Sequence, residues 1–242
     1  MCGRFTLRAS AQTVAEQFAL IDLPPLVPRY NIAPRQPIGI VRLRRDPFAG
    51  SNAFPPSEHS AGSQRGATNR EFAVVRWGLV PSWANDPAIG DRLINARAET
   101  VASKPAFRSA FRYRRCLIPA DGFYEWAKVS GRKKPFFFRL PNDQLFAFAG
   151  LWEAWEGPDQ SYLETATIIT TEANEQVRKI HDRMPVILKP EDYSEWLDPE
   201  VSKSDKLMSL LRPLDLPLEI VPVGYWVNNP TFDDPRCVMP LG

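Results

Sequence analysis

Six short runs of β-branched and aromatic residues, at 72–79, 116–119, 123–128, 136–140, 145–152 and 162–170, follow one another with turn-forming residues at their borders. Runs of this length and composition read as strands, and a further one at 38–43 precedes them. Their order is that of a meander. Gly131-Arg132-Lys133-Lys134 and Pro141-Asn142-Asp143 read as turns between neighbouring strands. No βαβ alternation is visible, so the sheet is expected to be mainly antiparallel. Helices are expected at 11–20, capped by Ser10 with Val14 and Phe18 on its apolar stripe, and at 98–103, 106–113, 172–180, 191–196 and 203–211. Thr171 is the expected N-cap of the helix at 172–180. The fold class that follows is α+β, a single domain over 1–242 with a mainly antiparallel, β-barrel-like core and peripheral helices.

One stretch does not fit a core. Residues 46–70 are rich in Gly, Pro, Ser and Asn and poor in aliphatics, which predicts a flexible surface loop within the domain. Arg42, Arg44 and Arg45, where that loop begins, read as a solvated charged rim. Cysteine usage points to a reducing compartment, because Cys2, Cys116 and Cys237 are an odd and sparse set. No CxxC pair suggests zinc, and neither a metal nor a cofactor is expected. With no signal-peptide core and no apolar run long enough for a bilayer, the expectation is a cytoplasmic monomer without a membrane partner. The net charge of +2 means that any nucleic-acid site must be a local basic surface. The 7 tryptophans offer flat faces for stacking.

The chemistry concentrates in four polar clusters. The chain opens Met1-Cys2-Gly3-Arg4-Phe5. Initiator methionine is normally trimmed before a residue as small as Cys, which would leave Cys2 with a free α-amine beside its thiol. Such an aminothiol condenses with an aldehyde to an imine, and the thiol then closes a thiazolidine. With an amine pKa of roughly 7.7–8.0 and a thiol pKa of about 8.5, both groups are expected to be partly reactive near neutrality. Gly3 would admit a close substrate, and Arg4 supplies a cation. Asn95-Ala96-Arg97 stands where a helix is expected to begin, with Asn95 either capping it or aimed at Cys2, and Arg97 as a phosphate ligand. Asp121-Gly122 turns into a strand in which Glu125 lies between Phe123 and Trp126, so desolvation should raise its pKa. His181, flanked by Asp182 and Arg183, sits at a helix–strand junction and reads as a proton shuttle, whereas His59, the other of the 2 histidines, falls in the loop. Trp77 and Trp83 add two aromatics, at least one of them for the core.

Taken in order, Cys2-Gly3-Arg4-Phe5, Tyr30-Asn31-Ile32-Ala33-Pro34, Trp77-Gly78-Leu79-Val80-Pro81-Ser82-Trp83, Asn95-Ala96-Arg97-Ala98-Glu99-Thr100, Cys116–Trp126 and His181-Asp182-Arg183-Met184-Pro185 resemble the SOS response-associated peptidase family. The loop at 46–70 matches that pattern least, and Tyr225-Trp226-Val227-Asn228-Asn229 matches it approximately. The resemblance implies a single α+β domain that shields abasic sites in single-stranded DNA. It implies that Cys2 forms a thiazolidine DNA–protein crosslink with the ring-opened sugar, that Asn95 positions it, and that Glu125 and His181 handle protons. It further implies Arg4, Arg97 and Arg183 as phosphate ligands, Trp77 and Trp126 as walls of the DNA cleft, and an associated peptidase and lyase-type activity. A bacterial member would associate with the nucleoid. The competing readings are an N-terminal-nucleophile amidohydrolase, a thiol peptidase built on Cys2, His181 and Asn95, and a non-catalytic reader of single-stranded or modified DNA.

Overall fold

A computed structural model describes residues 2–44, 69–201 and 204–241. Its strands are β1 (Phe5–Leu7), β2 (Arg29–Ile32), β3 (Pro37–Leu43), β4 (Arg70–Trp77), β5 (Asn95–Arg97), β6 (Arg115–Ala120), β7 (Gly122–Val129), β8 (Arg132–Arg139), β9 (Phe146–Glu156), β10 (Tyr162–Glu172), β11 (Arg183–Pro185), β12 (Ile187–Leu188) and β13 (Glu219–Pro222). Helices are short: α1 (Ala11–Phe18), α2 (Ala98–Val101), α3 (Arg108–Tyr113), α4 (Glu175–Arg178), α5 (Tyr193–Leu197) and α6 (Ser204–Leu210).

Strands β10, β4, β3, β6 and β9 pair in that order, and β9 pairs back with β10, closing a barrel. Every contact around this ring is antiparallel except β4 with β10, which is parallel. A second, wholly antiparallel sheet runs β13-β8-β7-β1-β2. The aromatic runs of the sequence meet between the two. Phe5 of β1 lies edge-on to Phe148 of the barrel at 5.7 Å, and Phe123 stacks on Phe138 at 4.8 Å. Such pairs contribute about 0.5–1.5 kcal/mol each beyond their buried area.

The chain passes from the barrel to the second sheet at Asp121-Gly122, between β6 and β7. Gly122 is required there because a Cβ would sit 2.3 Å from the Phe137 ring. The buried Asp121 carboxylate accepts from the Thr6 hydroxyl at 2.5 Å, the Arg8 side chain at 3.0 Å, the Ala9 backbone N–H at 3.0 Å and the Arg8 backbone N–H. It thereby fastens the N-terminal strand to the sheet crossing.

Several local expectations give way to long-range pairing. Helix α1 starts at Ser10 as expected, its hydroxyl accepting from Thr13 N–H at 3.1 Å, but ends at Ala19 with φ 53°. The helix expected over 172–180 shrinks to α4 and is capped by Asn174, because β10 carries Thr171 into pairing with Met184. Asn95 caps no helix. It lies in β5, which pairs with β10, and α2 begins after Arg97. Strands β1, β2, β5, β11, β12 and β13 run for at most 4 residues, too short to show a period in sequence. Of the expected loop, 46–68 lies outside the described residues, His59 and Arg45 among or beside it, while Arg70 opens β4 and is buried. Arg42 is no solvated rim. It is buried between Glu71 at 2.6 Å and Glu164 at 2.8 Å, with its guanidinium 4.2 Å from the Trp152 ring centroid. Among the described residues no helix is long and apolar enough to cross a membrane.

Replacing Asp121 by Ala should therefore cost about 3–5 kcal/mol, since it leaves Arg8 and buried N–H donors without their acceptor. At about 2–4 °C per kcal/mol for a chain of this size, a calorimetric midpoint lowered by roughly 6–20 °C is expected. A shift below about 2 °C would show that the crossing does not depend on this carboxylate.

Candidate active site at the N-terminal strand

The register of β1 carries Cys2 to its position. Phe5 pairs with Phe123 and Thr6 with Gly122, and Tyr124 N–H donates to the Arg4 carbonyl at 3.0 Å. Continuing that antiparallel register lays the segment Cys2-Gly3 beside Glu125. From the barrel, β5 brings Asn95, whose side-chain amide donates to the Cys2 carbonyl at 2.9 Å. The turn between α4 and β11 brings His181, with Nε2 3.9 Å from the Glu125 carboxylate. Four elements distant in sequence thus converge on one point, and Cys2, Asn95, Glu125 and His181 lie there together.

Burial biases each titratable group there towards its neutral form. Glu125 is 2% exposed, and desolvation, assisted by the negative charge of Asp182, raises its pKa to about 7. Burial also pushes the Cys2 thiol upward, and the Glu125 charge adds to the effect. The thiol is therefore not poised as thiolate, contrary to the expectation from its ordinary pKa. It needs a proton acceptor at the moment of reaction. Desolvation lowers the pKa of His181. Its Nδ1 lies 3.0 Å from the Arg183 backbone nitrogen, 3.2 Å from the Arg183 carbonyl and 3.1 Å from the Asp182 carboxylate, so the neutral ring can carry its proton on either nitrogen, with Nε2 facing Glu125. Among the described residues no cluster of His, Cys, Asp or Glu is arranged to hold a metal ion.

The residues expected to touch DNA divide. Arg97 is exposed, and Trp126 is half-buried with its indole N–H donating to Asn228 Oδ1 at 2.7 Å. Trp77 is fully buried, donates to the Ile94 carbonyl at 2.8 Å and packs edge-on against Phe5 at 5.3 Å. Its ring cannot line a cleft. It supports the strand that carries Cys2, and Trp83, 59% exposed, is the surface member of that motif. The Arg183 guanidinium is already engaged bidentately by Glu99 at 2.7 and 3.1 Å and donates to the Thr170 carbonyl at 2.7 Å. Arg4 donates to Asn31 Oδ1 at 2.8 Å and to the Val227 carbonyl. Sequence reasoning missed Asn31 and the segment 227–229 as parts of the site. Asn31 donates to the carbonyls of Asn229 at 2.9 Å and Phe232 at 2.7 Å, so the two motifs are halves of one clamp around Arg4. A polar Asn between aromatic Tyr30 and aliphatic Ile32 was the available signal.

A small, largely antiparallel barrel with a buried N-terminal cysteine, a desolvated carboxyl and a histidine defines a class of thiol-bearing α+β proteins. The chain matches the SOS response associated peptidase (SRAP) description over residues 1–230. It is 42% identical over 243 residues to abasic site processing protein YoqW of Bacillus subtilis, covering 98% of this chain and 99% of that protein. It is 34% identical to abasic site processing protein HMCES of Gallus gallus, covering 72% of this chain and 59% of that protein. A crystal structure of a protein from Bacteroides thetaiotaomicron superposes with a TM-score of 0.73 at 25% identity, covering 99% of this chain and 100% of that one. The chain belongs to the SOS response associated peptidase family.

Because folding raises the pKa of Glu125, the fold favours its protonated form. That contribution is full below the ordinary value of 4.5 and is lost as the pH rises through about 7. Glu125→Gln, neutral throughout, should match wild type at pH 4.5 and exceed it by up to about 3 kcal/mol at pH 8.5. Thermal melts of both proteins across that range check this, and a gap that does not widen with pH would place the carboxyl at its ordinary value.

Proposed function

We propose that this chain processes abasic sites in single-stranded DNA by linking itself covalently to them through Cys2, once Met1 has been removed. The observation that carries the reading is the buried Glu125, titrating near neutrality beside the segment that bears Cys2. The curated relatives named as abasic site processing proteins support it.

The ring-opened abasic sugar presents an aldehyde at C1′. The α-amine of Cys2 adds to that carbon to give a carbinolamine. Protonated Glu125 donates to the departing hydroxyl, water leaves, and an iminium forms. Glu125 is now a carboxylate and accepts the thiol proton. The sulfur then attacks C1′ and closes a thiazolidine, with no net proton gained or lost by the carboxyl. Neutral His181, with Nε2 3.9 Å from Glu125, relays protons between that carboxyl and solvent. Asn95 fixes the Cys2 carbonyl and with it the direction of amine and thiol. Closing the ring removes an iminium that would otherwise lose the 3′ phosphate by β-elimination. The peptidase of the family name is read here as trimming of the chain's own N-terminus, and lyase-type cleavage as the outcome when ring closure fails. A non-catalytic reader would have no use for a buried carboxyl that titrates at neutrality.

Arg97 and Trp83, both exposed, are assigned to a phosphate and a base, with Trp126 at the lesion. Arg183 takes part only if a phosphate displaces Glu99.

Incubating the purified protein with a single strand carrying one abasic site should give a denaturant-stable adduct of additive mass less one water. Cys2→Ala should give none, and Cys2→Ser only an imine trapped by borohydride. An adduct from Cys2→Ala equal to wild type would overturn the mechanism. Binding to an intact strand should lose about 0.7 of log-affinity-against-log-salt slope in Arg97→Ala, the contribution of one phosphate contact. The loss should be smaller in Arg183→Ala, because Glu99 already neutralises that cation. Equal slopes for Arg97→Ala and wild type would remove Arg97 from the interface.

A further inference from the structure

The β7–β8 hairpin ends in a cationic tip that the chemistry above does not use. Lys128 precedes the turn, and Arg132, Lys133 and Lys134 follow it. The turn residues Ser130 and Gly131 have φ 47° and 79°, the doubly left-handed pair of a tight turn whose twist matches its strands. The tip is thus a defined two-stranded ribbon, and its register sets Lys128 directly opposite Lys133. Like charges so placed destabilise a sheet. Neither they nor Arg132 and Lys134 form an ion pair among the described residues, whereas Arg139, at the far end of β8, is matched by Glu219 and Asp143. In a chain of net charge +2, this group of cations is left unneutralised on one exposed projection.

The placement gives the charge a use. Side chains alternate along β7, so Lys128 shares a face with Trp126, while Glu125, three residues back, lies on the opposite face. At about 3.3 Å per residue, the Lys128 and Glu125 backbones are about 10 Å apart along the strand, and with the two side chains on opposite faces an extended single strand bridges them in about two to three nucleotides. The turn over 225–228 closes the other flank. Val223 N–H donates to the Pro135 carbonyl at 3.2 Å, Trp126 is bonded to Asn228, and Tyr225 remains 54% exposed.

We propose that the hairpin tip, through Lys128 and Lys133, grips the phosphate backbone of the single strand about two to three nucleotides from the lesion on the Trp126 side. This rests on the abasic-site reading above. Repulsion within the pair is relieved when a phosphate lies between the two ammonium groups, so the strand is held by charges the free protein leaves opposed.

The test uses intact protein and strands centred on a tetrahydrofuran abasic analogue, which marks the site but has no aldehyde. Lengths of about 3 and about 20 nucleotides are compared, only the longer reaching the tip. Lys128→Ala/Lys133→Ala should flatten the salt slope on the long strand by about 0.7, the one phosphate held between them, and weaken binding there about tenfold, with no change on the short one. Lys128→Arg/Lys133→Arg should retain both. Lys133→Glu should weaken long-strand binding yet raise the thermal midpoint by about 1–4 °C, because it replaces repulsion with attraction across the ribbon. An unchanged slope on the long strand, or an equal loss on both lengths, overturns the proposal. Failure of the underlying reading shows separately, as wild type giving no adduct with an aldehydic abasic strand.

Discussion

The structure depends on burying the beginning of the chain. Terminal residues ordinarily fray, because a few backbone contacts do not repay the entropy of ordering them. Here β1 pairs on both edges, with β2 and β7, and its three residues are all buried. Asp121 holds its exit, Arg4 and Asn31 hold its entrance against the C-terminal segment, and Trp77 supports Phe5 from the barrel. The segment 227–232 therefore helps to hold the strand that follows Cys2.

Burial also sets the electrostatics. Desolvation acts on Cys2, Glu125 and His181 in the same sense, favouring the neutral form of each. A thiol in such a place is not reactive on its own. In the mechanism proposed above it becomes so by handing its proton to a carboxyl that the same environment has brought close to neutrality. Cation handling elsewhere follows a different rule. Arg115 is buried and donates to the carbonyls of Trp196, Phe111, Arg112 and Asp198, so it joins segments together where no carboxylate is available. The β7–β8 tip stands apart from both patterns, exposed and without an ion pair among the described residues.

Much of this was legible in the chain. The long strands β3, β4, β6, β7, β9 and β10 each announce themselves as apolar runs with turn residues at their ends, and the short links of β7 to β8 and of β9 to β10 go with their antiparallel pairing, whereas β8 begins at Arg132, inside the Gly131–Lys134 run that reads as a turn, because pairing with β7 extends it. The residue types at positions 2, 95, 125 and 181 speak for their chemistry wherever they are placed. What stayed hidden lies in elements of 4 residues or fewer, whose form is imposed by a partner: β1 by β7, β5 by β10, β11 by β10.

Sequence alone determined the alternation that makes strands and the kinds of groups available to react, since these depend on neighbours within a few residues. Tertiary structure decided the rest. It chose Trp77 for the core and Trp83 for the surface, paired Arg183 with Glu99, turned Asn95 from a helix cap into a ligand of the Cys2 carbonyl, and closed the barrel through the parallel contact of β4 with β10. It also moved the pKa of Glu125 to about 7. Each of these depends on desolvation or on a partner far away in the chain, and both arise only when distant segments are brought against one another.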